Sequence, residues 1–163
     1  MKTIGYISRG AEFISGIIGL IALFVVCYEV VGRYFAPSIL TDWGAEVTVY
    51  AVIWGVFLSF GELARRGEHI SADFLVANLK GVGHKIYRTV MLIVGFCFSA
   101  VLVWAGWQMV SFALMIGETG DTSLQFPKAL YYLALPVGML LQCIVYGAQL
   151  VSRKSTDTES LEV

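Results

Sequence analysis

Between Thr89 and Gly117 the chain runs for twenty-nine residues without one charged side chain. No water-soluble surface can be built on such a stretch, whereas a helix of that length crosses a bilayer with room to tilt. Three further runs share the property or come close to it. Phe13–Tyr28 is uncharged for sixteen residues, Glu46–Ala64 is interrupted only near its end by Glu62, and Ala129–Val151 is uncharged for twenty-three. Of the 163 residues, 58% are hydrophobic and 14% charged, and the mean hydropathy is +0.76. Soluble domains carry roughly 25% charged residues. A chain this poor in charge cannot cover itself with polar surface, so lipid must cover it.

The runs predict a single all-α integral membrane domain with four transmembrane helices, over about 12–35, 45–64, 88–116 and 128–151. Residues 1–11 form a short amphipathic lead with Lys2 and Arg9. The first run is long and no small-residue cleavage site follows it, so it reads as a retained helix rather than a signal peptide. Pro37 and Ser38 end that helix. In the long connection after helix two, Ile70, Phe74, Leu75 and Leu79 fall on one helical face. This predicts a short in-plane amphipathic helix over about 69–80. Residues 152–163 are a polar C-terminal tail, expected to lack fixed structure.

Charge sets the orientation. Nine of the eleven Lys and Arg fall in the N-terminal lead, the 65–88 connection and the C-terminal tail. The loops at 36–45 and 117–127 contain no basic residue, only Asp42, Glu118 and Asp121. The positive-inside rule then places both termini and the 65–88 connection in the cytoplasm. Four crossings also require both termini on one side. No basic stripe is dense enough for nucleic acid, so that partner class is excluded.

Ionisable groups inside a crossing are expensive and usually paired. Glu29 and Arg33 stand four apart with the acid first, the better order for a helical ion pair. They read as a structural pair fixing helices one and two, with Arg33 also within reach of Asp42 or Glu46. The competing reading is a proton or cation site built on Glu29. Arg65 and Arg66 read as a solvated helix end and positive-inside anchor. Cys27, Cys97 and Cys143 lie singly in separate apolar runs and read as buried small side chains. His69 and His84 have no metal-ligand spacing. Trp43, Trp54, Trp104 and Trp107, with Tyr34, Tyr131 and Tyr132, suit an interfacial aromatic belt. No phosphate loop, catalytic triad or acid pair appears, so no catalytic, cofactor or metal site is expected. At mid-depth the polar groups are few, chiefly Glu29, Gln108 and Gln142. Such a chain is poorly equipped to move a polar solute alone, and a helper packed against a larger membrane protein fits it better.

Several short motifs carry a resemblance. Helix one ends in Arg33-Tyr34-Phe35, followed by Trp43 and Glu46 before helix two. The inner end of helix two reads Gly61, then Arg66-Gly67-Glu68-His69-Ile70, then Asp73. Leu124-Gln125-Phe126-Pro127 leads to Tyr131 and Pro136-Val137-Gly138. In order, spacing and topology these resemble the small, four-helix DctQ-like membrane subunit of tripartite ATP-independent periplasmic (TRAP) transporters. Two positions depart from that pattern. Ala45-Glu46 stands where an acidic pair is common, and Glu62 stands where small residues are.

The resemblance implies a scaffold in the bacterial inner membrane. Its partners would be a large DctM-like membrane subunit holding the Na⁺ and substrate sites, and a periplasmic protein delivering an organic acid such as a C4-dicarboxylate or sialic acid. Glu29, Arg33, Trp43 and Glu46 would then serve structure and subunit contact. Gly61, Arg66, His69 and Asp73 would form an inner-face motif. Asp42, Trp43, Glu118 and Asp121 would be candidates for docking the binding protein. The rival readings are a self-sufficient proton-coupled exporter using Glu29, and a haem or quinone redox anchor.

Overall fold

A computed structural model describes residues 2–35, 42–66 and 82–159 of the protein. They form four α-helices: α1 Lys2–Phe35, α2 Gly44–Arg66, α3 Val82–Ile116 and α4 Lys128–Glu159. Among the described residues the sole β feature is an isolated antiparallel bridge between Thr119 and Pro127. The chain is all-helical, and every helix holds a segment long and apolar enough to cross a membrane: Gly5–Phe35, Gly44–Arg66, Ile86–Ile116 and Lys128–Ser152. The 69–80 segment expected to lie in the membrane plane is outside the described residues, and with it His69 and Asp73.

Two helices run further than the hydropathy suggests. The N-terminal lead and the first crossing are one continuous helix in α1. α4 continues through Pro136 to Glu159, into the tail expected to lack fixed structure. Starting a helix is costly, but extending one adds a hydrogen bond for each residue ordered. The finished turns of α4 therefore carry the polar residues after Val151.

The extensive packing is between α1 and α2, α2 and α4, and α4 and α3. The helices thus stand in a row, α1–α2–α4–α3, with α2 and α4 inside. Burial follows position, with 44% of the α4 span buried against 6% of the α1 span. Lipid tails are as apolar as Leu, so close packing and hydrogen bonds, rather than water exclusion, must hold such a row together.

The seams are built accordingly. On α1, Ser8, Ala11, Ser15, Ile18, Ala22, Val25 and Glu29 alternate steps of three and four residues and are the less exposed positions. This is a heptad stripe of mostly small side chains, which lets α2 approach closely. The Ser15 hydroxyl donates to the Gly55 carbonyl across that seam. Between α2 and α4, a Cβ on Gly138 would collide with the Phe57 carbonyl, so the two backbones meet there. Between α3 and α4, the Tyr146 ring lies against Gly95, 2.8 Å from where a Cβ would sit. Two serine hydroxyls on α3 find partners one turn back, Ser99 at the Gly95 carbonyl and Ser111 at the Trp107 carbonyl, each 2.7 Å. Cys27 and Cys97 are exposed on outer faces and Cys143 is half-buried, not the buried trio expected. A thiol is apolar enough to face lipid as readily as a core.

Candidate functional site

Charged residues gather at the two ends of the row. At one end lies the 117–127 loop. α3 stops at Gly117, whose φ of +65° is left-handed. The Gly117 amide donates to Leu114 at 3.3 Å and the Glu118 amide to Ala113 at 3.1 Å. That double closure satisfies carbonyls the helix end would otherwise leave bare. The loop then folds on itself. Gly120 donates to the Phe126 carbonyl at 2.8 Å, and Lys128 to the Glu118 carbonyl at 2.9 Å. The Lys128 ammonium pairs with the Glu118 carboxylate at 3.1 Å. Gln125 holds a φ of +46°, a left-handed conformation uncommon outside glycine.

The start of α2 pins this loop. Asp42 accepts two hydrogen bonds from Ser123, one from its hydroxyl and one from its amide at 3.0 Å. The Ser123 hydroxyl and then its amide hold the Asp42 carboxyl below its ordinary pKa. Glu46 accepts from the Thr122 hydroxyl, and its carboxylate lies against Gly120. Behind them Tyr50 packs on Phe126 and Tyr131, with ring centroids 6.0 and 5.6 Å apart. The Trp54 indole donates to the Leu130 carbonyl at 3.1 Å. Asp42 and Asp121 are exposed, while Trp43 and Glu118 are half-buried. All four sit on this one clamped end.

Arg33 pairs with Glu29 at 3.2 Å. It does not take Asp42 or Glu46, as its position in the sequence suggested, because the Ser123 and Thr122 groups of the loop hold those carboxylates. Arg33 is 72% exposed and Glu29 15%. Glu29 occupies the α1 seam, its carboxyl group 3.1 Å from where a Cβ of Gly44 would stand. Gly44 opens α2, so the negative charge faces the positive end of a helix dipole as well as an arginine.

At the opposite end Arg65 and Arg66 are more than a solvated helix end, because both are engaged by acids while staying partly exposed. The Glu62 side chain is 2% exposed and accepts from Arg65 Nε at 2.6 Å and Arg66 Nε at 3.0 Å. Arg66 also donates to both carboxylate oxygens of Glu12 on α1, at 2.6 and 2.8 Å. Gln149 of α4 donates to the Ala64 and Arg65 carbonyls at 3.3 Å each, closing the frayed end of α2. Gly61 lets Leu141 of α4 approach to 3.2 Å of its missing Cβ. The spacing of Glu62 to Arg65 and Arg66, three and four residues, was the available signal for this cluster. Nothing in the local sequence names Glu12 or Gln149 as the fourth and fifth members.

Of the mid-depth polar groups, Gln108 is exposed and Gln142 is buried. Among the described residues, no group of three or more His, Cys, Asp or Glu could hold a metal ion.

The family model for the DctQ component of tripartite ATP-independent periplasmic transporters matches residues 22–155. The chain belongs to the DctQ family. It is a multi-pass membrane protein of a family of transport components, and the matched region takes in the second part of α1 from residue 22, all of α2 and α3, and α4 as far as residue 155. A curated relative, the C4-dicarboxylate TRAP transporter small permease protein DctQ of Rhodobacter capsulatus, is 26% identical over 103 residues. That match covers 62% of this chain and 44% of the relative.

Proposed function

We propose that this DctQ-family chain is the small, non-catalytic scaffold subunit of a Na⁺-coupled, binding-protein-dependent importer of an organic acid, in the bacterial inner membrane. The observation that carries the proposal is the open row of helices. Its edge helices α1 and α3 expose long apolar faces, including Phe24, Val31, Phe98 and Phe112. Glu29 and Glu62 are both committed to arginines. A row whose two embedded acids are paired and whose flanks are uncovered has surface for a partner and little with which to carry a solute. In this reading a large DctM-like subunit holds the Na⁺ and substrate sites. The basic distribution of the sequence puts the arginine end in the cytoplasm and the clamped loop in the periplasm.

The clamped loop is the part of this chain offered to the substrate-binding protein. Asp42 and Asp121 are exposed on it, and Leu124 and Phe126 stand partly open beside them. A surface that docks a mobile partner loses less entropy on binding when it is already ordered. Reconstitution tests the proposal. Liposomes holding this chain alone should show no solute flux, and liposomes holding it with its co-purified companion and binding protein should show Na⁺-dependent uptake. Flux from the chain alone, lost in Glu29→Gln, would establish the exporter instead.

A further inference from the structure

Beside the α1–α2 seam, at the arginine end, lies an open groove of about 580 Å³. We propose that it binds one anionic phospholipid, with the phosphate at Arg9 and Arg66 and an acyl chain along Phe13, Ile17 and Leu20. The lining residues of α1 fall on one helical face, and their polarity runs in one direction. Arg9 comes first, then Phe13, Gly16, Ile17 and Leu20, with no polar side chain beyond Glu12. From Arg9 to Leu20 the helix rises ~16 Å, against a monolayer half-thickness of ~15 Å in a ~30 Å hydrocarbon core. The groove therefore matches one leaflet in length, and it has a basic mouth and an apolar run like the lipid's own head and tail.

The charges at the mouth fit an anion. Arg9 is exposed and has no ion-pair partner among the described residues. Arg66 is shared between Glu12 and Glu62, whereas no described acid takes up the charge that Arg9 brings to the mouth. Glu12 holds Arg66 against α1, which fixes its guanidinium over the groove instead of leaving it to swing free. A planar guanidinium suits phosphate oxygens better than an ammonium does. Gly16 leaves the floor open, since a Cβ there would meet no atom within 4 Å. Glycine at this point is not used for close helix packing, unlike Gly138, and its absent side chain is the width of the groove. The proposal stands apart from the scaffold role, because it concerns lipid held by this chain whatever its partner.

The full-length chain, extracted from mixed phosphatidylethanolamine and phosphatidylglycerol vesicles, is compared by native mass spectrometry with Arg9→Gln and Gly16→Ile. The wild type should keep one phosphatidylglycerol per chain. Each variant should lower that occupancy about tenfold, the effect of losing one charge-assisted contact or its supporting groove. Melting in detergent should not change, since both residues are exposed. Equal occupancy in all three proteins would overturn the proposal, as would equal retention of phosphatidylethanolamine. Displacement of the lipid by inorganic phosphate alone would make this a headgroup ion site and overturn it too. So would a lipid-free groove in the assembled complex, with a cross-linker at position 16 reaching the companion subunit.

Discussion

Arg66 of α2 reaches Glu12 of α1, fifty-four residues earlier, through two hydrogen bonds of 2.6 and 2.8 Å, while its Nε stays on Glu62. One side chain thus ties a buried acid to a neighbouring helix. Removing the acid should hurt more than removing the tie. Glu62→Ala leaves two arginines facing an apolar seam and should cost about 3 kcal/mol, the low end for breaking a buried pair because both arginines can turn outward. Glu12→Gln should cost about 1 kcal/mol or less, since both partners are nearly half exposed. Unfolding of the purified chain in a graded denaturing detergent measures both, and equal losses would contradict the burial of Glu62.

The Asp42–Ser123 clamp should depend on pH. The Asp42 pKa is depressed in the folded loop, so its contribution is fully present above the ordinary aspartate value. It is lost as pH falls through the lowered one. Hydrogen exchange at the Ser123 amide, corrected for intrinsic rates, should show protection at neutral pH that disappears in strong acid. In Asp42→Asn the protection should be weaker and no longer change over that range.

Glycine positions should divide by what faces them. Gly138→Ala drives a methyl into the Phe57 carbonyl and should cost about 1–3 kcal/mol, the usual range for overpacking. Gly19 has nothing within 4 Å of its Cβ position, so Gly19→Ala should leave melting unchanged or slightly raised. Thermal denaturation of the two proteins in one detergent makes the comparison.

Arg33 makes its ion pair with a residue of its own helix and is largely exposed. Arg33→Ala leaves Glu29, 15% exposed, with the start of α2 as its remaining counter-charge, and should cost the isolated chain about 1 kcal/mol, between an exposed pair and a buried one. If Arg33 serves subunit contact, the same variant should recover several-fold less companion from the membrane and lose uptake. Lost uptake with an intact, equally stable complex would remove Arg33 from the interface.

The helices were legible because a long apolar run with almost no charge has few alternatives to crossing a bilayer. Glu29 and Arg33 were legible as a pair because four residues make one helical turn. The inner faces were not. In water a buried face differs from an exposed one in hydropathy, but in lipid both are apolar. The three-four stripe from Ser8 to Glu29 therefore hides among equally apolar neighbours and shows itself only by the small size of its residues. The loop clamp was hidden for another reason. Thr122 and Ser123 lie seventy-six and eighty-one residues from the acids they hold, and no local pattern relates residues that far apart. Glu62, a departure from the family pattern at sequence level, became interpretable once Glu12 and the α4 packing beside Gly61 were in place.

The most direct measurement is a mild-detergent pull-down of the tagged chain from its own host, with every co-purifying protein identified and its stoichiometry determined. A scaffold must bring out one large multi-helix membrane protein in fixed ratio, and the complex should take up solute when its binding protein and a Na⁺ gradient are supplied. A chain that emerges alone and homogeneous, and that moves solute by itself in liposomes, would contradict the scaffold role and return attention to Glu29.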